Sequence, residues 1–174
     1  MFFRWLEQNR EAVFDYDTDA LIEAIETSCR MKADIVSRDE RETGDRALLN
    51  FGHTFGHAIE AWAGYSGDVL HGEAIAIGMV LAARYSASQG HCGVKIAARL
   101  KEHMEDVGLP GDLAALRQKL GRAPGLDELM SYMEQDKKVK DGQITLILLR
   151  GIGDAFVSRN EPKDGIRAFL QSQL

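Results

Sequence analysis

The twenty residues from His71 to Gly90, HGEAIAIGMVLAARYSASQG, constrain the fold more than any other stretch. From Ala74 to Ala83 there is no polar side chain, so a helix here is apolar on most sides. Such a helix is stable only where other elements cover it, which predicts a central buried helix ending near Gly90. A bilayer span needs about 20 apolar residues. The run AIAIGMVLAA has half that length and ITLILL is shorter still, so neither reads as a membrane segment.

Around this helix the chain reads as further helices. In TDALIEAIETSCRMKADIVSRDE, Leu21, Ile22, Ile25, Cys29 and Ala33 recur at helical spacing, with Thr18 as the N-cap. DRALLNFGHTFGHAIEAWAG reads as one helix stopped by Gly64. GVKIAARLKEHMEDVGLP is amphipathic and closes at Gly108 and Pro110, and two shorter helices follow near 112–120 and 126–135. The β-branched and aliphatic runs around GIGD predict a β-hairpin near 143–158. EPKDGIRAFLQSQL reads as a closing helix with Pro162 in its first turn. The expected fold is therefore mainly α with one small β-hairpin, as a single helical domain over residues 1–174.

The formal net charge of −6, with no basic stripe, argues against a nucleic-acid surface. The beginning MFFRWLEQNREAVF has neither the apolar core nor the cleavage site of a signal peptide. Cys29 and Cys92 show no framework spacing and read as reduced thiols of a cytoplasmic protein. A GxGxxG fingerprint after a strand and a Walker A loop are both missing, so these residues show no means of holding a dinucleotide.

The chemistry concentrates in LLNFGHTFGHAIE and VLHGEA. His53 and His57, at i and i+4, share a helix face, a common way to offer two imidazoles to one metal. Glu60 stands a turn further along, and His71 opens the next helix. Buried histidines with satisfied hydrogen bonds are the plain alternative for any one of them. Three so close together in an apolar, glycine-rich setting favour a site. Gly52 and Gly56 each precede a histidine and serve either close helix packing or close approach of a ligand. If the helix is continuous, Arg46, Asn50, His53 and His57 fall along one stripe suited to an anionic, hydroxylated ligand. Lys32 on the preceding helix, and Lys137, Lys138 and Lys140 before the hairpin, add cations, which by themselves read first as a solvated surface lysine and an ordinary charged turn.

Taken together, DERETGDRALLNFGHTFGHAIE, LHGEAIAIGM and DKKVKDGQITLILLRGIG resemble the C-terminal domain of the 3-dehydroquinate synthases, from FFRWLEQN to the end of the chain. The resemblance implies conversion of the seven-carbon keto-acid phosphate DAHP to 3-dehydroquinate and phosphate, in the shikimate pathway. It implies bound NAD, which transiently oxidises a substrate hydroxyl, and a divalent metal, zinc or another such as cobalt. It also reassigns the histidines: His53 and His71 become metal ligands and His57 faces the substrate. Lys32, Arg46 and Asn50 match substrate-binding positions, and one of Lys137 and Lys138 matches a phosphate-contacting one. Lys32 and His57 are the expected catalytic pair.

The family's third metal ligand, a glutamate, and its NAD-binding α/β domain have no counterpart in these 174 residues. Glu60 and Glu73 do not match that glutamate and are expected to be structural. The expectation is a C-terminal domain that folds alone, holds zinc weakly through two histidines and does not catalyse. The resemblance implies an N-terminal domain and a homodimer in the full-length enzyme as partners; with the surface for that domain exposed, self-association or disorder is expected near residues 1–15 and 38–46. The alternatives are a related sugar-phosphate cyclase, such as 2-deoxy-scyllo-inosose synthase, and a non-catalytic metal-binding helical module.

Overall fold

The computed structural model describes residues 2–41, 44–64, 66–135 and 144–174. They form two compact units, residues 1–49 and 50–174. The class is the expected one: eight α-helices, a short 3-10 helix and one two-stranded antiparallel sheet among the described residues.

The first unit pairs α1 (Phe2–Phe14) with α2 (Thr18–Arg38). Residues 2–14 are thus helical, against the expectation of disorder near the start. Asp17, not Thr18, caps α2, its carboxylate accepting the Ala20 N–H at 2.9 Å. The spacing of apolar residues along α2 is helical as expected, but that face is not covered. Ile22 and Ile25 are 56% and 60% exposed, and Cys29 is exposed too. Only Ala20 and Thr27 of this helix are buried. Period alone reports that a face exists, not that anything packs on it.

The second unit is organised round α4 (His71–Ser88), the helix that all-round apolarity marked. Its Ile77, Val80, Ala83 and Tyr85 are fully buried. On α4 pack α3 (His53–Ala63), α5 (Val94–Asp106), the strand β1 (Ile144–Gly151) and α8 (Lys163–Gln171). The core is completed by α6 (Leu113–Leu120) and α7 (Leu126–Gln135), through Leu116, Leu129 and Met133. Gly64 stops α3 in the left-handed region, φ 73°.

β1 turns at Ile152 and Gly153 into β2 (Asp154–Glu161), with Leu148 opposite Phe156. Gly153 has φ 85° and Ile152 does not have a positive φ, so the second central position is the one that calls for glycine, as in a type II turn. Leu146 to Leu149 are buried in succession, because α4 covers the strand. Ser86 of α4 ties the two together: its hydroxyl accepts the Leu149 N–H at 3.0 Å and donates to the Ala82 carbonyl at 2.7 Å.

Gly52, Gly56 and Gly78 let α3 and α4 touch backbone to backbone. A Cβ on Gly78 would lie 2.2 Å from the Gly52 carbonyl oxygen, and one on Gly52 2.5 Å from the Met79 nitrogen. Of the two roles open to the glycines of NFGHTFGH, close helix packing is the one visible here.

Tyr85 is buried, and its hydroxyl donates to the Glu161 carboxylate at 2.8 Å, with Ser158 donating to the other oxygen. Burial and the neighbouring carboxylate both push the Tyr85 phenol well above its ordinary value of 10.0. A raised phenol binds its proton more tightly in the folded state. Its contribution is complete below pH 10 and is lost as pH rises beyond it. Alkaline unfolding followed by circular dichroism should steepen above about pH 10 in the wild type and less in Tyr85→Phe. The variant should lose about 1–3 kcal/mol at neutral pH, for the carboxylate oxygen left without its Tyr85 donor. Equal stability at neutral pH would show the bond to be unimportant.

Candidate metal and substrate site

Three imidazoles converge where α3 begins and α4 begins. Ring centroids of His53 and His57 lie 5.3 Å apart, His53 and His71 6.0 Å, and His57 and His71 6.3 Å. The i, i+4 pair is as the sequence offered it, and the loop after Gly64 returns His71 to the same place.

Two of the rings are tied at Nδ1. His53 Nδ1 lies 3.3 Å from the Phe51 carbonyl oxygen, and His71 Nδ1 lies 3.0 Å from Glu60 Oε1. A carbonyl can only accept, and so can an ionised carboxylate, so both contacts place the proton on Nδ1. In the neutral rings, Nε2 of His53 and of His71 is then the nitrogen left to meet a metal.

The start of α4 is itself anchored. The Glu73 carboxylate accepts the Leu70 N–H at 2.8 Å and meets Lys119 Nζ of α6 at 2.7 Å. Burial pushes the Glu73 carboxyl up, but Lys119 and the Leu70 N–H outweigh it and hold the group below its ordinary value. Glu73 is structural, as expected. Glu60 does more than expected: it belongs to the histidine cluster.

Among the described residues no group of three or more His, Cys, Asp and Glu side chains is arranged to hold a metal ion. The donors present fit two ligands of a divalent metal, with two imidazole Nε2 atoms prepared and a carboxylate behind one of them.

The proposed stripe of Arg46, Asn50, His53 and His57 is not continuous. Residues Asp45–Asn50 form a 3-10 helix, Gly52 breaks the chain at φ 82°, and α3 starts afresh at His53. The cause is the packing on α4, which needs the left-handed glycine. Arg46 is half-buried and donates from Nη1 to the Glu40 carbonyl at 2.7 Å, while its N–H meets the Asp39 carboxylate at 3.0 Å. Asn50 is half-buried at the end of the 3-10 helix. Lys32 is exposed on α2. Lys32 and Arg46 belong to the first unit, the histidines to the second. Lys137, Lys138 and Lys140 lie outside the described residues. The sequence had no means of showing the Glu60–His71 pair, since no fixed offset links residues on either side of a loop.

The fold and the site define a mainly helical domain that gathers three histidines at the junction of two glycine-packed helices. The model of the family described as 3-dehydroquinate synthase C-terminal matches residues 1–139. A 3-dehydroquinate synthase of Brucella anthropi is 49% identical over 174 residues, 99% of this chain and 45% of the relative. One of Rhodopseudomonas palustris is 52% identical over 176 residues, with the same shares. The chain thus spans about half the length of these relatives. In fold it is similar to a 2-epi-5-epi-valiolone synthase of Streptomyces hygroscopicus, solved with NAD+ and Zn2+ (TM-score 0.79, 24% identity, 98% of this chain and 45% of that one). It is also similar to a 2-deoxy-scyllo-inosose synthase, solved with carbaglucose-6-phosphate, NAD+ and Co2+ (TM-score 0.70, 24% identity, 91% and 42%). The chain belongs to the 3-dehydroquinate synthase C-terminal family.

Proposed function

We propose that the chain is the metal- and substrate-binding half of a two-domain 3-dehydroquinate synthase, converting DAHP to 3-dehydroquinate and phosphate in the cytoplasm, within the shikimate route to aromatic amino acids. The observation that carries this reading is the convergence of His53, His57 and His71, two of them with Nδ1 already engaged. Family membership gives the chemistry its name.

In this reading His53 and His71 hold the divalent cation, zinc or cobalt, and a further ligand comes from elsewhere. Bound there, the cation supplies Lewis-acid polarisation of substrate oxygens. His57 binds substrate and moves a proton. Arg46 offers several N–H donors to a carboxylate or phosphate, of which one now holds the Glu40 carbonyl. Asn50 serves the substrate hydroxyls, and Lys32, with Lys137 or Lys138, offsets the negative charge of carboxylate and phosphate. NAD+ falls to the remaining length of the two-domain enzyme, since no dinucleotide fingerprint is present here. The exposed apolar side of α2, Ile22 and Ile25, supports packing against that remaining part. A homodimer is the proposed assembly. The second reading, a related sugar-phosphate cyclase, is disfavoured by 24% identity to two such enzymes against 49% and 52% to 3-dehydroquinate synthases.

Zinc titration by calorimetry tests the metal part. His53→Ala and His71→Ala should abolish binding by the 174-residue chain, while His57→Ala retains it. Loss of binding in His57→Ala equal to that in His53→Ala would make the i, i+4 pair the chelate and return His57 from the substrate to the metal. The chain alone should not turn over DAHP, and turnover by it would contradict the two-domain reading.

A further inference from the structure

We infer that Glu60 is a positioning residue for the metal: its carboxylate holds His71 as the Nδ1–H tautomer and presents Nε2 to a cation shared with His53. The inference rests on the metal reading above and adds a residue to it.

The two partners differ in how firmly they are held. The Glu60 side chain is 14% exposed, on a helix whose neighbouring Ile59 and Trp62 are buried in the core. The His71 side chain is 61% exposed, at the first position of α4. A side chain that open has several rotamers and two tautomers, and only some direct a lone pair at the other histidines. The 3.0 Å contact selects among them. Glu73, itself paired with Lys119, accepts the N–H of the preceding Leu70 and so anchors the start of α4, while Glu60 holds the His71 ring. Holding the ring before the cation arrives removes an ordering cost from binding. A carboxylate behind an imidazole also raises its basicity toward a metal. His53 is fixed differently, by the Phe51 carbonyl, so the effect of Glu60 is specific to one of the two ligands.

The test uses the 174-residue chain and two readouts. Without metal, at a pH well above the ordinary imidazole value, nitrogen NMR of labelled histidine should show His71 with its proton on Nδ1. Glu60→Ala should shift His71 toward the Nε2–H form, while Glu60→Gln, whose amide oxygen still accepts, should keep part of the wild-type signal. With zinc, Glu60→Ala should bind about 10- to 100-fold more weakly, with Glu60→Gln between it and the wild type. An unchanged His71 tautomer in Glu60→Ala overturns the inference. So does unchanged zinc affinity in Glu60→Ala while His71→Ala weakens it, and that result leaves the metal reading standing. Zinc affinity indifferent to His71→Ala, or no zinc response at His71 in the wild type, removes both.

Discussion

Replacing Gly78 by alanine should cost about 3 kcal/mol or more of folding stability, beyond the usual range for a surface change. The added Cβ would sit 2.2 Å from the Gly52 carbonyl oxygen and 2.7 Å from the Gly56 nitrogen. Those two atoms form the hydrogen bond that opens α3, Gly56 N–H to Gly52 carbonyl at 2.9 Å. Neither is the end of a flexible side chain, so the clash cannot be relieved by a rotamer change. α3 has to move off α4, and Phe55 and Ile59 leave the core with it. His53 is the first residue of α3, so zinc binding should weaken together with stability. Gly72→Ala is the control: the same helix, nothing within 4 Å of its Cβ, and an expected change within about 1 kcal/mol. Urea unfolding of both variants decides it. A Gly78→Ala protein as stable as Gly72→Ala would mean that the two helices are not in backbone contact.

The same contact explains what the sequence disclosed and what it hid. The central helix was legible because Ala74 to Ala83 leave no polar face, and only burial accommodates that. Gly64, Gly90 and Gly108 were legible as stops because each takes a positive φ that other residues resist. The hairpin announced itself through β-branched and aliphatic residues round a glycine turn. The stripe through Arg46 and Asn50 failed because Gly52 serves α4, a tertiary demand that overrides helical continuity. The apolar spacing of α2 was read correctly as helical, but spacing does not report burial: Ile22 and Ile25 are exposed. At the site, His53 and His57 were paired by periodicity, whereas His71 joins them only through the return of the chain after Gly64. Glu60 was one turn past His57 and still looked structural, because its partner stands across a loop.

In the complete two-domain enzyme, His57→Ala should lower kcat for DAHP by about 10²- to 10⁴-fold, the usual worth of a positioned proton-transfer group. Zinc content should not change, since His57 is proposed to serve the substrate and not the metal. Lys32→Ala should cost about 10²- to 10³-fold in kcat/KM, through lost stabilisation of negative charge. The pattern also separates the competing readings. A non-catalytic metal module predicts that His53→Ala and His71→Ala lose zinc while Lys32→Ala and Arg46→Ala leave turnover intact. An active site predicts that all four fail, two by losing the cation and two with the cation in place. Steady-state kinetics with zinc analysis on the same preparations distinguishes these results. Full activity in His57→Ala with normal zinc would remove His57 from the chemistry and leave its imidazole a packing role beside His53, 5.3 Å away.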